Sequence, residues 1–133
     1  GKGNVLADGK DVAIFATGIM NAAALEAREQ LKAYGVDAAI IDIHTIKPID
    51  KDEIVYSAKN IGKILTVEEH NLIGGLGGAV AEAICENGTC VPVVKVGVND
   101  CFGKSGPAVE LLHIYGLDAQ NIVEKAKKAI SMK

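Results

Sequence analysis

The segment Lys63–Gly78, which reads KILTVEEHNLIGGLGG, decides the fold. Its apolar run Lys63–Val67 predicts a buried strand, and two carboxylates and a histidine follow that run at once. A turn with four glycines, Gly74–Gly78, then opens an alanine-rich helix predicted over Leu76–Glu86. A strand, a turn and a helix in this order indicate an α/β unit, with titratable groups at the carboxyl end of its strand. Open α/β sheets usually carry their functional surface at that end.

Three further apolar runs predict strands of the same sheet, at Asp11–Ala16, Asp37–Ile43 and Pro92–Val96. They are nearly continuous in Ala, Ile and Val, which is typical of parallel strands covered on both faces. The segment Asn4–Ala7 is a candidate for a short additional edge strand.

Helical patterns alternate with these strands. One is predicted over Ile19–Tyr34 with Gly35 as its C-terminal stop, and another begins after Asp50, with Glu53 three residues later as in a capping box. Further helices are predicted after Pro107 and after Asp118. This alternation predicts a three-layer α/β/α sandwich around a mostly parallel sheet, with residues 1–133 forming one domain.

Composition excludes several functional classes. Formal net charge is −3, Arg28 is the one arginine, and there is no tryptophan, so the chain lacks the usual groups for clamping phosphates and stacking bases. We therefore expect no nucleic-acid partner. No apolar stretch approaches the roughly 20 residues of a membrane span. Three cysteines without C-x-x-C spacing indicate a reducing compartment, and we expect the cytoplasm.

Three segments look like known binding motifs but do not match them. The segment Gly97–Ser105 resembles a phosphate-binding loop, but five residues separate its glycines where that loop has four. In Gly74–Gly78 the third glycine of a dinucleotide fingerprint is replaced by Val80. Cys85 and Cys90 have no histidine nearby, which argues against zinc, and we expect Cys85 to be buried. No catalytic, cofactor-binding or metal-binding residue is predicted.

The sequence allows two interpretations of Glu68, Glu69 and His70. They form an acid–base group if their proximity raises a carboxylate pKa toward neutrality. Alternatively, one glutamate caps or pairs at the strand end while the other groups face solvent or a partner. The residue types alone leave both interpretations open.

The chain resembles the C-terminal domain of transketolases along nearly its whole length. The segments that carry this resemblance are, in order, Asp11–Gly18, Ala22–Leu31, Asp42–Asp50, Thr66–His70, Gly74–Gly78, Gly97–Gly106 and Tyr115–Leu117. The chain is most similar to the C-terminal subunit of a split transketolase. It is less similar to the last domain of 1-deoxyxylulose-5-phosphate synthases and of 2-oxo acid dehydrogenase β-subunits.

The resemblance implies a five-stranded mixed sheet whose first, edge strand is antiparallel. It also implies a parent enzyme that uses thiamine diphosphate and a divalent metal, Mg or Ca, to transfer a two-carbon ketol unit between sugar phosphates. In that family the cofactor lies between the preceding pyrimidine- and diphosphate-binding domains. None of the catalytic or cofactor residues carries over, because their motifs, including G-D-G, are absent from this sequence.

Position does carry over from the resemblance. It implies that one group of residues faces the neighbouring pyrimidine-binding domain or a second subunit: Glu68, Glu69, His70, Gly74, Gly75, Gly77 and Gly78. We therefore expect a non-catalytic assembly domain of a homo-oligomer, a dimer, that is inactive alone. Two rivals remain: a free-standing α/β module that binds a small anion at the glycine turn, and a flavodoxin-like electron carrier. The lack of aromatic pairs argues against the second.

Overall fold

Five strands form one mixed sheet in the computed structural model, which describes residues 2–44, 48–71, 75–98 and 118–132. The order across the sheet is β1-β3-β2-β4-β5, with β1 antiparallel to β3 and every other pair parallel. The predicted mixed sheet with an antiparallel first edge strand is therefore confirmed. The strands are β1 (Asn4–Ala7), β2 (Val12–Ala16), β3 (Ala38–Asp42), β4 (Ile64–Asn71) and β5 (Val93–Val98).

Four helices cover the two faces of the sheet in the described part of the chain. They are α1 (Met20–Lys32), α2 (Lys51–Asn60), α3 (Leu76–Glu86) and α4 (Ala119–Ser131). Helices α1 and α4 contribute to the apolar core on one face, and α2 and α3 contribute to the core on the other. This arrangement is the predicted three-layer sandwich. None of the helices in the described ranges has the length and apolarity needed to cross a membrane.

Strand β2 shows why the apolar runs form the sheet interior. All five of its residues are buried, and successive side chains enter opposite cores. Ile14 packs under α1 and α4, whereas Ala13 and Phe15 pack under α2 and α3. Full burial stabilises the fold by about 1.5–3 kcal/mol for each large apolar side chain, so the run is stable only with helices on both faces.

Local signals set the helix ends. Asp50 caps α2, since its Oδ1 accepts a hydrogen bond from the amide of Glu53 at 3.2 Å. The carboxylate of Glu53 accepts a hydrogen bond from Ser57 at 3.3 Å, so the described contacts show only the Asp50 half of the predicted capping box. Gly35 follows α1 with φ of +76°, the left-handed conformation expected of a glycine past a helix end. The predicted and observed ends of α1 differ by one or two residues, whereas those of α3 coincide at Leu76 and Glu86.

Strand β4 is longer than the sequence predicts. The apolar run ends at Val67, but the strand continues to Asn71, which pairs with Val98 of β5 after a register shift. Backbone pairing with β5 extends the strand where side-chain hydropathy gives no signal. A second correction concerns Cys85, which is an exposed free thiol and not a buried one. A third correction concerns the loop predicted over Gly97–Gly106, because Gly97 and Val98 belong to β5. The rest of that loop and the helix predicted after Pro107 lie outside the described residues.

Candidate interface at the carboxyl edge of the sheet

The parallel strands β2, β3 and β4 end at one edge of the sheet, and their connections diverge there. The chain leaves β2 through α1 on one face, whereas it leaves β4 through α3 on the opposite face. Since β2 and β4 are neighbours, the crevice between diverging connections lies at their carboxyl ends. Glu68 of β4 and the start of α3, from Gly75 to Gly78, lie in this part of the structure.

Glu68 closes the start of α3 with its own carboxylate. Its Oε1 accepts a hydrogen bond from the amide of Leu76 at 2.7 Å, and its Oε2 accepts one from the amide of Gly77 at 2.8 Å. The side chain is completely buried. The N-cap residue, Gly75, has no side chain that could cap the helix, so a glutamate from the adjacent strand takes that place. Charge-assisted bonds at a helix N-terminus offset the desolvation of the buried carboxylate.

This geometry favours one of the two interpretations of the acidic pair. One glutamate caps the helix, as the second interpretation holds. A carboxylate with both oxygens bonded to amides and no contact with solvent has no oxygen directed at a substrate. Glu69 and His70 follow Glu68 in β4. Their role at an interface, and that of the glycines, remains a prediction.

The glycines of the turn differ in their surroundings. A Cβ placed on Gly77 would lie 2.8 Å from Cδ of Lys95 and 2.9 Å from Oγ1 of Thr66, so this glycine lets α3 lie close against β4 and β5. A Cβ placed on Gly78 would meet no atom of the described residues within 4 Å, apart from its chain neighbours and the backbone of its own helix. Within the described part of the chain, Gly78 therefore has more space around it than Gly77. Gly74 lies outside the described residues.

A second polar group at this edge was missed by the sequence analysis. The side-chain amide of Asn21, in the first turn of α1, donates hydrogen bonds to Oδ1 of Asp42 at 2.9 Å and to the carbonyl of Gly18 at 3.0 Å. Nδ1 of His44 lies 3.7 Å from Oδ2 of the same aspartate, and the imidazole is half exposed. The available signal was the spacing of Asp42 and His44, two residues apart at a strand end.

The described residues do not fit a metal or a diphosphate. They contain no group of three His, Cys, Asp or Glu side chains close enough to hold a metal ion. The α3 amides that would suit a phosphate are bonded to Glu68 instead. The absence of a cofactor site from the whole chain remains a prediction.

The strand order, the antiparallel edge strand and the self-capped glycine turn define a doubly wound α/β domain with a closed helix N-terminus at its carboxyl edge. The chain belongs to the transketolase C-terminal domain family, which it matches over residues 1–122. This membership confirms the resemblance seen in the sequence.

Two of the proteins with similar sequences are described as a section and a subunit of transketolases. The chain is 50% identical over 125 residues to the "Putative transketolase C-terminal section" of Methanocaldococcus jannaschii, covering 94% of this chain and 39% of that protein. It is 44% identical over 134 residues to 6-deoxy-6-sulfo-D-fructose transketolase subunit SqwH of a Clostridium species, covering 100% and 41%. A 1-deoxy-D-xylulose-5-phosphate synthase from Halothermothrix orenii is 42% identical over 131 residues, covering 98% and 21%.

A solved structure agrees with these sequence relatives. The split gene transketolase described as an inactive beta4 tetramer superposes with a TM-score of 0.94 at 51% identity, covering 99% of this chain and 43% of that one. The fold prediction is thereby confirmed. The chain spans about two fifths of the length of its transketolase relatives.

Proposed function

We propose that this chain is the non-catalytic, C-terminal assembly domain of a thiamine-diphosphate-dependent transketolase. The complete enzyme would transfer a two-carbon ketol unit between sugar phosphates in the cytoplasm. Family membership and the transketolase names of two relatives support the class of enzyme. The pyrimidine- and diphosphate-binding domains would supply thiamine diphosphate and its divalent metal, Mg or Ca, together with the catalytic groups.

The observation that carries this proposal is the internal cap made by Glu68. In an α/β domain that binds a phosphate, the helix amides at the carboxyl edge would be free to receive it. Here the first two amides of α3 are bonded to a buried carboxylate, which would also repel an incoming anion. The same contacts argue against the rival of a free-standing anion-binding module.

The proposed interface is the carboxyl edge beside this cap. Glu69 and His70 continue β4 past the buried glutamate, and a Cβ on Gly78, in the first turn of α3, would meet no atom elsewhere in the described residues within 4 Å. We propose that the partner domain or a second subunit packs here, with Gly74 and Gly75 allowing close approach. Glu68 and Gly77 would act from inside the domain, because they hold the start of α3 in place.

Association between the purified chain and a separately expressed partner section, comprising the pyrimidine- and diphosphate-binding domains, tests the proposal. Gly78→Leu adds a side chain at a position where a Cβ meets no other part of the described structure, so it should leave folding intact and weaken association. Lys59→Leu makes a similar apolar addition at an exposed position of α2 and should leave association unchanged. Equal affinity for both variants, or no association of the unsubstituted chain at micromolar concentration, would contradict the proposal.

One related function is favoured by a specific observation. The 42% identity to a 1-deoxy-D-xylulose-5-phosphate synthase fits the equivalent domain of such an enzyme. The assembled complex distinguishes the two: a transketolase passes the two-carbon unit from a ketose phosphate to an aldose phosphate. A synthase would instead form deoxyxylulose phosphate.

A further inference from the structure

The outer edge of the sheet at β1 is open in the described part of the chain. No described strand pairs with β1 on the side away from β3. Val5 and Leu6 in this strand are 48% and 41% exposed. The four residues of β1 include no charged residue and no proline, two of the features that protect sheet edges. The strand is short and its register shifts between Val5 and Ala7, so an added strand would pair with β1 over a few residues, and the neighbouring pocket would have to supply further contacts.

A pocket of about 240 Å³ adjoins this edge on the face covered by α2 and α3. Ala39 and Ile41 of β3 line it, together with Val5 of β1 and Tyr56 of α2. The side chain of Tyr56 is itself largely exposed. The turn at Gly9 contributes to the lining as well, and a Cβ there would lie 2.4 Å from the backbone of β3, so this turn is held tightly in place.

Two carboxylates give the pocket its charge. Asp8 and Glu53 both line it. Burial raises the pKa of Glu53; a hydrogen bond from Ser57 opposes the rise, and the nearby carboxylates of Asp50 and Asp8 add to it. Lys10 is the one cation among the lining residues, and no ion pair between described residues joins it to either carboxylate. Glu53 thus lies where a cation supplied from outside would relieve an unfavourable charge.

We propose that β1 and this pocket together dock an extended segment of the partner section. The segment would add a strand along β1 and place an arginine or lysine side chain between Asp8 and Glu53. Backbone groups of the open edge would pair with the added strand, as in other cases of strand addition. The methylene stem of the basic side chain would lie against Val5 and Tyr56, while its charge meets the two carboxylates. This inference rests on the proposed assembly with a partner section.

The test compares variants that remove one charge each. Affinity for the purified partner section would be measured for Glu53→Gln, Asp8→Asn and the matched control Asp52→Asn, which removes a carboxylate from the exposed face of the same helix. We expect Glu53→Gln and Asp8→Asn to weaken binding about tenfold or more, since each leaves a buried cation with one carboxylate fewer. The control should stay within about twofold, because exposed pairs contribute little.

A stability measurement excludes misfolding as the cause. Glu53→Gln removes a partly buried charge and keeps an acceptor for Ser57, so thermal unfolding of the variant should occur at the same temperature or higher. A variant that is at least as stable yet binds less tightly has lost a contact with its partner. A photoreactive residue in place of Tyr56 should also crosslink to a peptide of the partner section that contains an arginine or lysine.

Other outcomes would overturn the inference. If the unsubstituted chain binds the partner section and Glu53→Gln binds equally well, the docking site is wrong while the proposed function stands. If the unsubstituted chain does not bind at all, both fail. If Glu53→Gln instead changes self-association of the isolated chain, this edge is a contact between copies and the assignment to the partner section is wrong.

Discussion

Replacement of Glu68 is the perturbation whose cost the structure determines best. Glu68→Gln preserves the shape of the side chain but replaces one carboxylate oxygen with an NH2 group. That NH2 group would face one of the two backbone amides that now donate a hydrogen bond to the carboxylate. One charge-assisted hydrogen bond is lost, which is worth about 1.5–3 kcal/mol, and two buried donors then face each other. We expect the free energy of unfolding to fall by about 2–3 kcal/mol. Glu68→Ala leaves both amides without a partner, at about 1–3 kcal/mol each, and should cost about 4 kcal/mol.

Urea unfolding followed by circular dichroism measures these losses, with an unchanged m-value indicating that the unfolded state is unaffected. Glu82→Gln is the matched control, since the same change occurs at an exposed position of α3 and should alter stability by less than about 0.5 kcal/mol. A loss of stability for Glu68→Gln no larger than the control would refute the argument that this carboxylate holds the start of α3. For a domain with typical total stability of about 5–15 kcal/mol, the expected loss is easily resolved.

Three further substitutions test other parts of the structure. Thr66→Val should raise the free energy of unfolding by about 1 kcal/mol in the same urea assay, because the buried hydroxyl of Thr66 has no hydrogen-bond partner among the described residues. A lower stability would show that the hydroxyl is bonded. The Gly78→Ala variant should be more stable than the Gly77→Ala variant by about 2 kcal/mol. Both variants gain helix propensity, but only the new methyl group at position 77 would collide with the side chains of Lys95 and Thr66. Equal stability would contradict the close packing of α3 against the sheet. For Glu53→Gln the comparison is by pH. Burial raises the pKa of Glu53; the hydrogen bond from Ser57 opposes this rise, and the nearby carboxylates add to it. The carboxyl group of Glu53 therefore stays protonated to a higher pH in the folded state than in the unfolded chain. The stabilisation from this proton is complete below about pH 4.3 and is lost as pH rises through the pKa of the folded state. The Glu53→Gln variant should therefore be more thermally stable than the unsubstituted chain at pH 7 but not at pH 4. The opposite trend would show that the carboxylate is favourably paired.

The sheet and its helices were predictable because their signals are local. Continuous runs of Ala, Ile and Val indicate strands covered on both faces, and β2 is buried from Val12 to Ala16 as that pattern requires. Helix N-caps are also signalled by residues that are close in the sequence. Asp50 and Asp118 each begin a helix, because a short acceptor side chain can reach an amide three residues later.

The site was less predictable because its geometry depends on residues distant in the sequence. Whether Glu68 points into the domain or away from it depends on where α3 begins relative to β4, which no local pattern specifies. The contact of Asn21 with Asp42 joins residues 21 positions apart. The extension of β4 past Val67 depends on pairing with β5. Cys85 lies on the outer side of α3, although its residue type is usually buried.

The most direct test of the account is a reconstitution of ketol transfer from separate parts. With thiamine diphosphate and Mg²⁺ present, the purified chain and the partner section would each be assayed alone and then mixed at micromolar concentration. We predict that the chain alone transfers no two-carbon unit and that activity appears, or rises several-fold over that of the partner section, when the two are mixed. Turnover by the chain alone, or full activity of the partner section without it, would contradict the assignment of this domain to assembly.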